Sequence, residues 1–488
     1  MTDAPLAPDA APLRSGDLTQ GPIVRTLLVF ALPTLASNVL QSLNGTVNSI
    51  WVGRLLGEGA LAATANANII MFLVFSAVFG FGMAATVKVG QAFGANDIAA
   101  ARRSFGSALG FCTILSLVVA VTGWLLAPQL LTLMATPGES YALALAYLRV
   151  VFIAMPASIV MVMLSMGLRG GGDAQTPLKF MALTVALDIV LNPLLIAGIG
   201  PFPQLGIAGA AWATVIATVI GLIGMIAYLY ARDLPLRLRG TELGYLRPRR
   251  DELSYIMVKG LPMGAQMLLM AAAGIVMVGL VNREGLVTTA AYAAASQLWT
   301  YLQMPAMAIG AAVSAMAAQA IGAGLPARLG GITRAGVIAN VAMTGALTAL
   351  LLAFDRPLLA LFLGPESLAI PIARHIQFLA SWSFVLFGVT VVLFGTMRAG
   401  GVVWAPLVIL GIALYPARLG FYALLYPVIG SDAIWLSFPA GSLVTTALAV
   451  VAYRRPGWRR SARALPLAEA AEDSQADGEA AGRMMPSL

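Results

Sequence analysis

From about residue 23 to residue 453 the sequence is a succession of apolar stretches. Each is long enough to cross a bilayer, and none alternates every second residue. This feature limits the fold more than any motif does. A soluble core has no room for so much apolar surface. A bilayer does, provided that every backbone polar group is satisfied within the chain, which leaves helices or closed barrels. The missing two-residue alternation selects helices. Only 10% of the 488 residues are charged and 59% are hydrophobic, against roughly 25% charged in a soluble domain. Spans are expected at roughly 23–53, 60–93, 104–127, 141–168, 177–199, 206–231, 253–282, 288–321, 331–354, 370–397, 403–429 and 432–453. Gly57-Glu58-Gly59, Thr136-Pro137-Gly138 and Gly200-Pro201-Phe202-Pro203 punctuate them. The expected fold is therefore an all-α integral membrane protein with twelve transmembrane helices.

The net charge is +8, but no soluble basic face exists for nucleic acid, so none is expected as a partner. Charge placement matters more, because Lys and Arg gather on the cytoplasmic side. With the amino terminus inside, the inner loops hold Arg102, Arg103, Arg169, Lys179, Arg328, Arg334 and Arg398. Seven more lie between Arg232 and Lys259, and five between Arg454 and Arg463. The outer side keeps Arg54, Arg283, Arg356, Arg149 and Arg374. This bias predicts both termini in the cytoplasm. The Ala- and Arg-rich usage suggests a bacterium, hence its inner membrane. The expected organisation is a cytoplasmic tail over 1–20, a six-helix lobe over 21–231, a cytoplasmic linker over 232–252, a second lobe over 253–455 and a disordered tail over 456–488. The first apolar run is too long for a signal-peptide core and should remain as the first helix. The chain is expected to act as a monomer.

The two halves repeat at nearly constant spacing. Pro33 and Pro262, Arg54 and Arg283, Arg169 and Arg398, and Pro177 and Pro406 are each 229 apart (262 − 33). Gly82 and Gly310, Gln91 and Gln319, and Gly94 and Gly322 are 228 apart (310 − 82). Six spans per half give both halves the same orientation, a parallel repeat of the kind transporters use, with substrate near the midplane.

An ionisable residue within a span is costly and points to function. Asp188 is the one acid deep in a predicted span, in Leu187-Asp188-Ile189-Val190-Leu191-Asn192-Pro193. Asn192 lies four residues on, on the same helix face. Pro193 donates no backbone hydrogen bond, which frees the Ile189 carbonyl. A carboxylate, an amide and a free carbonyl could bind a proton or a small hard cation. The first span carries Asn38, Gln41, Ser42, Asn44 and Asn48, and the second Asn66 and Asn68. These amides either join helices or line a cavity. Methionines of the seventh and eighth spans, Met263, Met267 and Met270 among them, suit either packing or a surface that accepts varied ligands. Cys112 reads as a packing residue, and His375 as an incidental polar residue near a helix end. No enzyme constellation appears. Gly170-Gly171-Gly172 follows a helix without the strand a nucleotide loop requires and reads as a turn. No cofactor is expected.

The sequence resembles the MATE (multidrug and toxic compound extrusion) transporters, within the larger group that includes lipid-linked sugar flippases, from about residue 22 to 455. The resemblance is carried by Ala31-Leu32-Pro33, Trp51-Val52-Gly53-Arg54, Gly90-Gln91-Ala92-Phe93-Gly94-Ala95, Arg169-Gly170-Gly171-Gly172-Asp173, Leu191-Asn192-Pro193-Leu194-Leu195 and Leu205-Gly206-Ile207-Ala208-Gly209-Ala210-Ala211. It implies two pseudo-symmetric six-helix lobes around a central cavity, rocking to export amphiphilic, often cationic, compounds in exchange for sodium or protons. Many relatives carry an acid where this chain has Asn48. Many have Asn then Asp in the fifth span, where the order here is Asp188 then Asn192. Thr214 matches a position near the ion site of some relatives. Where others carry acids in the second lobe, this chain has Met270, and Phe387 or Gly388.

The resulting expectation is an exporter coupled to H+ or Na+ at Asp188, with Asn192, Asn48 and Thr214 completing the ion site. Gln41, Asn44, Asn68, Met263, Met267 and Met270 would line the substrate cavity, and Na+ at Asp188 is the one metal considered. The proton is favoured, since one carboxylate is a complete proton carrier whereas sodium gains from several placed oxygens. A flippase for a lipid-linked or polyanionic substrate would need a basic cavity, for which Arg418 and Lys88 are the available residues. A non-transporting membrane receptor or scaffold is the third reading.

Overall fold

The computed structural model describes residues 17–133, 138–455 and 458. Most of both predicted tails, 1–16 and 459–488, lies outside the described residues. The first lobe holds α1 (Ile23–Leu56), α2 (Glu58–Gly94), α3 (Ile98–Leu133), α4 (Gly138–Gly170), α5 (Gln175–Ala197) and α6 (Ile207–Ala231). The second holds α7 (Arg250–Asn282), α8 (Leu286–Gly322), α9 (Ala327–Ala353), the short α10 (Asp355–Leu363), α11 (Ala369–Ala380), α12 (Ser383–Ala399), α13 (Trp404–Ile412), α14 (Arg418–Ile429) and α15 (Asp432–Arg454). Among the described residues eleven segments are long and apolar enough to cross a membrane, and the count reaches twelve when α11 and α12, bent by 44° at their junction, form one span. α13 and α14 form another, joined by the π-helical turn Ala413–Ala417.

Several boundaries differ from expectation. The segment predicted as a loop between 354 and 370 contains α10, an amphipathic turn of helix that buries Leu359. The predicted linker contains a 3₁₀ helix, Gly240–Leu246, packed on α3. Its last residues belong to α7, where Asp251 and Glu252 sit in the first turn, as suits acids at a helix amino end. Arg102 of α3 fixes this segment, donating from Nε to the Pro235 carbonyl (2.7 Å) and from Nη1 to Glu242 (2.6 Å). Gly170 closes α4, and Gly171 and Gly172 form the expected turn, with Gly172 at φ 87°.

The lobes join at one end only. One large apolar cluster is confined to the first lobe apart from Ile256, and another to the second. The clusters that bridge the lobes draw on the beginning of α1 (Leu27, Phe30, Ala31), the latter part of α2 (Met83, Ala84, Val87) and the end of α8 (Ile309 to Ile321). Toward its other end α1 is much more exposed, and α7 likewise beyond Ala273. Leu18 and Trp458 pack in the same bridging cluster, so the described chain begins and ends at the joined end.

Close approach of helices there depends on small residues. A Cβ on Gly94 of α2 would collide with the carbonyl of Gln319 on α8, and one on Gly322 of α8 would collide with the carbonyl of Gln91 on α2. The crossing is thus reciprocal. Gly80 on α2 meets Gly260 and Gly264 of α7 in the same manner.

Candidate functional site

Asp188 lies in the middle of α5, 1% exposed, and Asn192 one turn later is equally buried. The Asn192 amide donates to the Asp188 main-chain carbonyl (2.9 Å) and to Asp188 Oδ1 (3.2 Å). Thr214 of α6 donates its hydroxyl to the same Oδ1 (3.0 Å). The Asn44 side chain of α1 lies close to the carboxylate as well. Residues from three helices therefore converge on one acid, because α5 packs against both α1 and α6.

The distinctive feature of this cluster is what stays unsatisfied. Asp188 Oδ2, Asn192 Oδ1, Asn44 Oδ1 and Asn48 Oδ1 are all buried without a hydrogen-bond partner. Buried polar atoms are normally paired, and unpaired ones are costly. Each of the four is an acceptor, so the group that completes them is a donor or a cation. A carboxylate oxygen with amide oxygens near it suits a small hard cation, as oxygen-rich sites suit hard cations generally. Among the described residues no three His, Cys, Asp or Glu cluster as a divalent site would require.

The predicted ion-site residues Asp188, Asn192 and Thr214 are thus brought into contact. Asn48 lies one helical turn beyond Asn44. Asn44, expected to line the cavity, instead touches the acid. Gln41 and Asn68 are exposed on the separated side of the first lobe. Met263 differs from expectation: it is 3% exposed and sealed between the lobes with Met83, Ala84, Met166 and Val403, because it sits next to the glycine crossing of α7 with α2. Met270 packs partly buried against Leu393, Phe394 and their neighbours, and Met267 is half-buried. Lys88, considered for a basic cavity, is instead paired with Glu252 (3.0 Å) and lies over the Tyr255 ring. Cys112 is fully buried in the first-lobe core. His375 hydrogen-bonds Asp432 (2.8 Å) near the start of α15.

One functional pair was visible in the sequence only as a mark of the repeat. At the joined end Gln91 of the first lobe donates to the Ala399 carbonyl of the second (2.8 Å). Gln319 of the second lobe donates to the Gly170 carbonyl of the first (3.2 Å). Gly170 and Ala399 are themselves 229 apart (399 − 170), so the two bonds are related by the repeat. Both glutamines are nearly fully buried, and together they clasp the ends of α4 and α12 across the lobe boundary.

Two equivalent six-span lobes, joined at one end and apart at the other, with a polar site inside one of them, have the architecture of a membrane transporter. The comparisons identify which kind. The MatE family signature matches residues 33–194 and again 262–423, and the chain belongs to this family of membrane transporters, which are not enzymes. Two proteins of Bacillus subtilis are similar over nearly their full length. The probable multidrug resistance protein YoeA is 34% identical over 92% of this chain and 97% of its own. The probable multidrug resistance protein YpnP is 31% identical over 92% and 98%. An outward-facing multidrug resistance MATE transporter of the MOP superfamily superposes with a TM-score of 0.84 at 21% identity, over 91% of this chain and 98% of that one, and shares its fold.

Proposed function

We propose that the protein exports amphiphilic, often cationic, small molecules in exchange for an inward-moving cation, with Asp188 as the coupling carboxylate. The observation that carries this reading is the set of four buried, unpaired oxygens on Asp188, Asn192, Asn44 and Asn48. It moves the preference between coupling ions from the proton to sodium, because a proton occupies one oxygen whereas sodium gains from several. The names of the relatives point to multidrug substrates.

Coupling follows from what α1 touches. It packs on α5 and α6 around the ion site and also on α8 and α9 of the other lobe. A cation at Asp188 draws Asn44 and Asn48 of α1 toward α5, which biases the packing of α1 on the second lobe. A ligand shifts a conformational equilibrium only through such state-dependent contacts. The separated end is the outward opening and the clasped end the cytoplasmic closure, with both termini cytoplasmic in a bacterial inner membrane. The protein works as a monomer.

The test is efflux of ethidium from proteoliposomes under an imposed sodium gradient or an imposed pH gradient, with wild type and Asp188→Asn side by side. Sodium-driven efflux that disappears in the variant supports the proposal. Full gradient dependence in Asp188→Asn would overturn the coupling role, and efflux driven by pH alone would restore the proton.

A further inference from the structure

The second lobe holds a charge that neither the fold nor the proposed coupling uses. Arg418 opens α14 and is 8% exposed. Among the described residues no carboxylate ion-pairs with it. Its Nη2 is buried without a hydrogen-bond partner. Its Nε reaches the Ser437 hydroxyl at 3.5 Å, the limit of a hydrogen bond. The guanidinium lies 3.6 Å above the Phe438 ring. Tyr292, half-buried like Phe438, lies 6.4 Å from that ring and stacks on Trp435.

The repeat gives this position its meaning. The second family match is displaced from the first by 229 residues at both ends (262 − 33 and 423 − 194). That spacing carries Asp188 onto Ala417, the residue immediately before Arg418. The residues just before Arg418, Ala413–Ala417, form a π-helical turn, a distortion frequent at functional sites. The acid of one lobe thus has a base as the next-door neighbour of its counterpart in the other. A buried charge without a counter-ion is expensive inside a membrane protein and points to a functional role. An unpaired guanidinium nitrogen offers donors to a carboxylate or phosphate, with fork geometry suited to either.

We propose that Arg418 is an anion-binding residue, receiving the carboxylate or phosphate of an aromatic amphiphile whose rings rest on Phe438 and Tyr292. The inference extends the export reading to substrates that carry an anionic group. It is tested at equilibrium, so that failure of gradient-driven ethidium efflux does not affect it.

The probe is fluorescein, an aromatic dianion, and the readout its fluorescence anisotropy with purified protein in phosphatidylcholine nanodiscs. Wild type binds saturably, and Arg418→Gln weakens binding about tenfold or more, as loss of a charge-assisted hydrogen bond does. Gly441→Asp keeps the arginine but gives it a counter-ion. A Cβ there stands 3.5 Å from the Arg418 Cβ and 3.6 Å from its Cδ, in ordinary contact. This variant should weaken fluorescein binding equally, with elution profile and thermal unfolding as checks of folding. Adding phosphatidylglycerol separates two sources of the anion. Displacement of fluorescein supports the site with a lipid phosphate as its ligand, and retention supports it with a free substrate. No saturable fluorescein binding by wild type, or undiminished binding in folded Gly441→Asp, overturns the proposal.

Discussion

Gly322→Ala should force the joined end apart. A Cβ at Gly322 would stand 2.6 Å from the Gln91 carbonyl carbon and 2.9 Å from its Cα. Ordinary contact begins at 3.4 Å, and the obstructing atoms are backbone, so no side-chain rotation relieves them. The helices must separate by about 1 Å (3.4 − 2.6 gives the minimum). A 1 Å separation lengthens the Gln91–Ala399 bond from 2.8 Å and the Gln319–Gly170 bond from 3.2 Å past the limit of hydrogen bonding. At about 1 kcal/mol per neutral hydrogen bond, their loss costs about 2 kcal/mol, a population shift of about 30-fold toward states open at that end. The measurement is the spin-label distance between Ala99→Cys and Leu325→Cys, exposed positions on opposite lobes at the joined end. Cys112 is fully buried and does not compete for label. Gly345→Ala, at a helical glycine with open space around it, is the control and should leave the distances unchanged. A Gly322→Ala distance distribution identical to wild type would refute the clasp as the element that holds this end closed.

The other predictions concern the ion site and the segment between the lobes. Thr214→Val removes the hydroxyl that orients Asp188 and should raise the half-saturating sodium concentration for efflux by about tenfold, the usual cost of a hydrogen bond to a charged group, whereas Thr214→Ser should stay near wild type. An unchanged sodium dependence in Thr214→Val would remove that residue from the site. Glu242 is held below the ordinary glutamate range by the Arg239 backbone N–H and by Arg102. Its contribution to docking the 3₁₀ segment on α3 is therefore full above the unfolded value of about 4.3 and is lost as pH falls through the lower folded value. Amide protection across 240–246, corrected for the intrinsic exchange rate at each pH, should fall on acidification below that range and not between pH 6 and 8. Glu242→Gln should show the faster exchange already at neutral pH, and equal rates in variant and wild type would refute the docking role.

Much of the architecture was legible because the membrane imposes it. With no water to satisfy the backbone, each apolar run of about 20 residues becomes a helix. The repeat could be read from prolines, glycines and charged residues because these are hard to place by chance in Ala-rich helices. Asp188 stood out for the same reason, as an acid deep in a span. Asn44 did not, because an amide on a polar helix face looks the same whether it holds helices together or completes a site. Gln91 and Gln319 were recognised as repeat partners, but their bonds go to carbonyls about 150 or more residues away in sequence, which no local pattern encodes. The α10 helix and the 3₁₀ turn were missed because short elements carry little periodicity and are fixed by what they dock against.

The sequence alone, then, determined the solvent, the long helices, the two-fold plan and the one acid deep in a predicted span. These follow from the cost of placing backbone and charge in hydrocarbon, which each residue meets locally. Tertiary structure decided which end of the lobes is joined, that three helices meet at Asp188, and that Arg418, one residue past the repeat equivalent of Asp188, is buried without a counter-ion. Those depend on which helix faces pack together, and packing is settled by contacts between residues far apart in the chain.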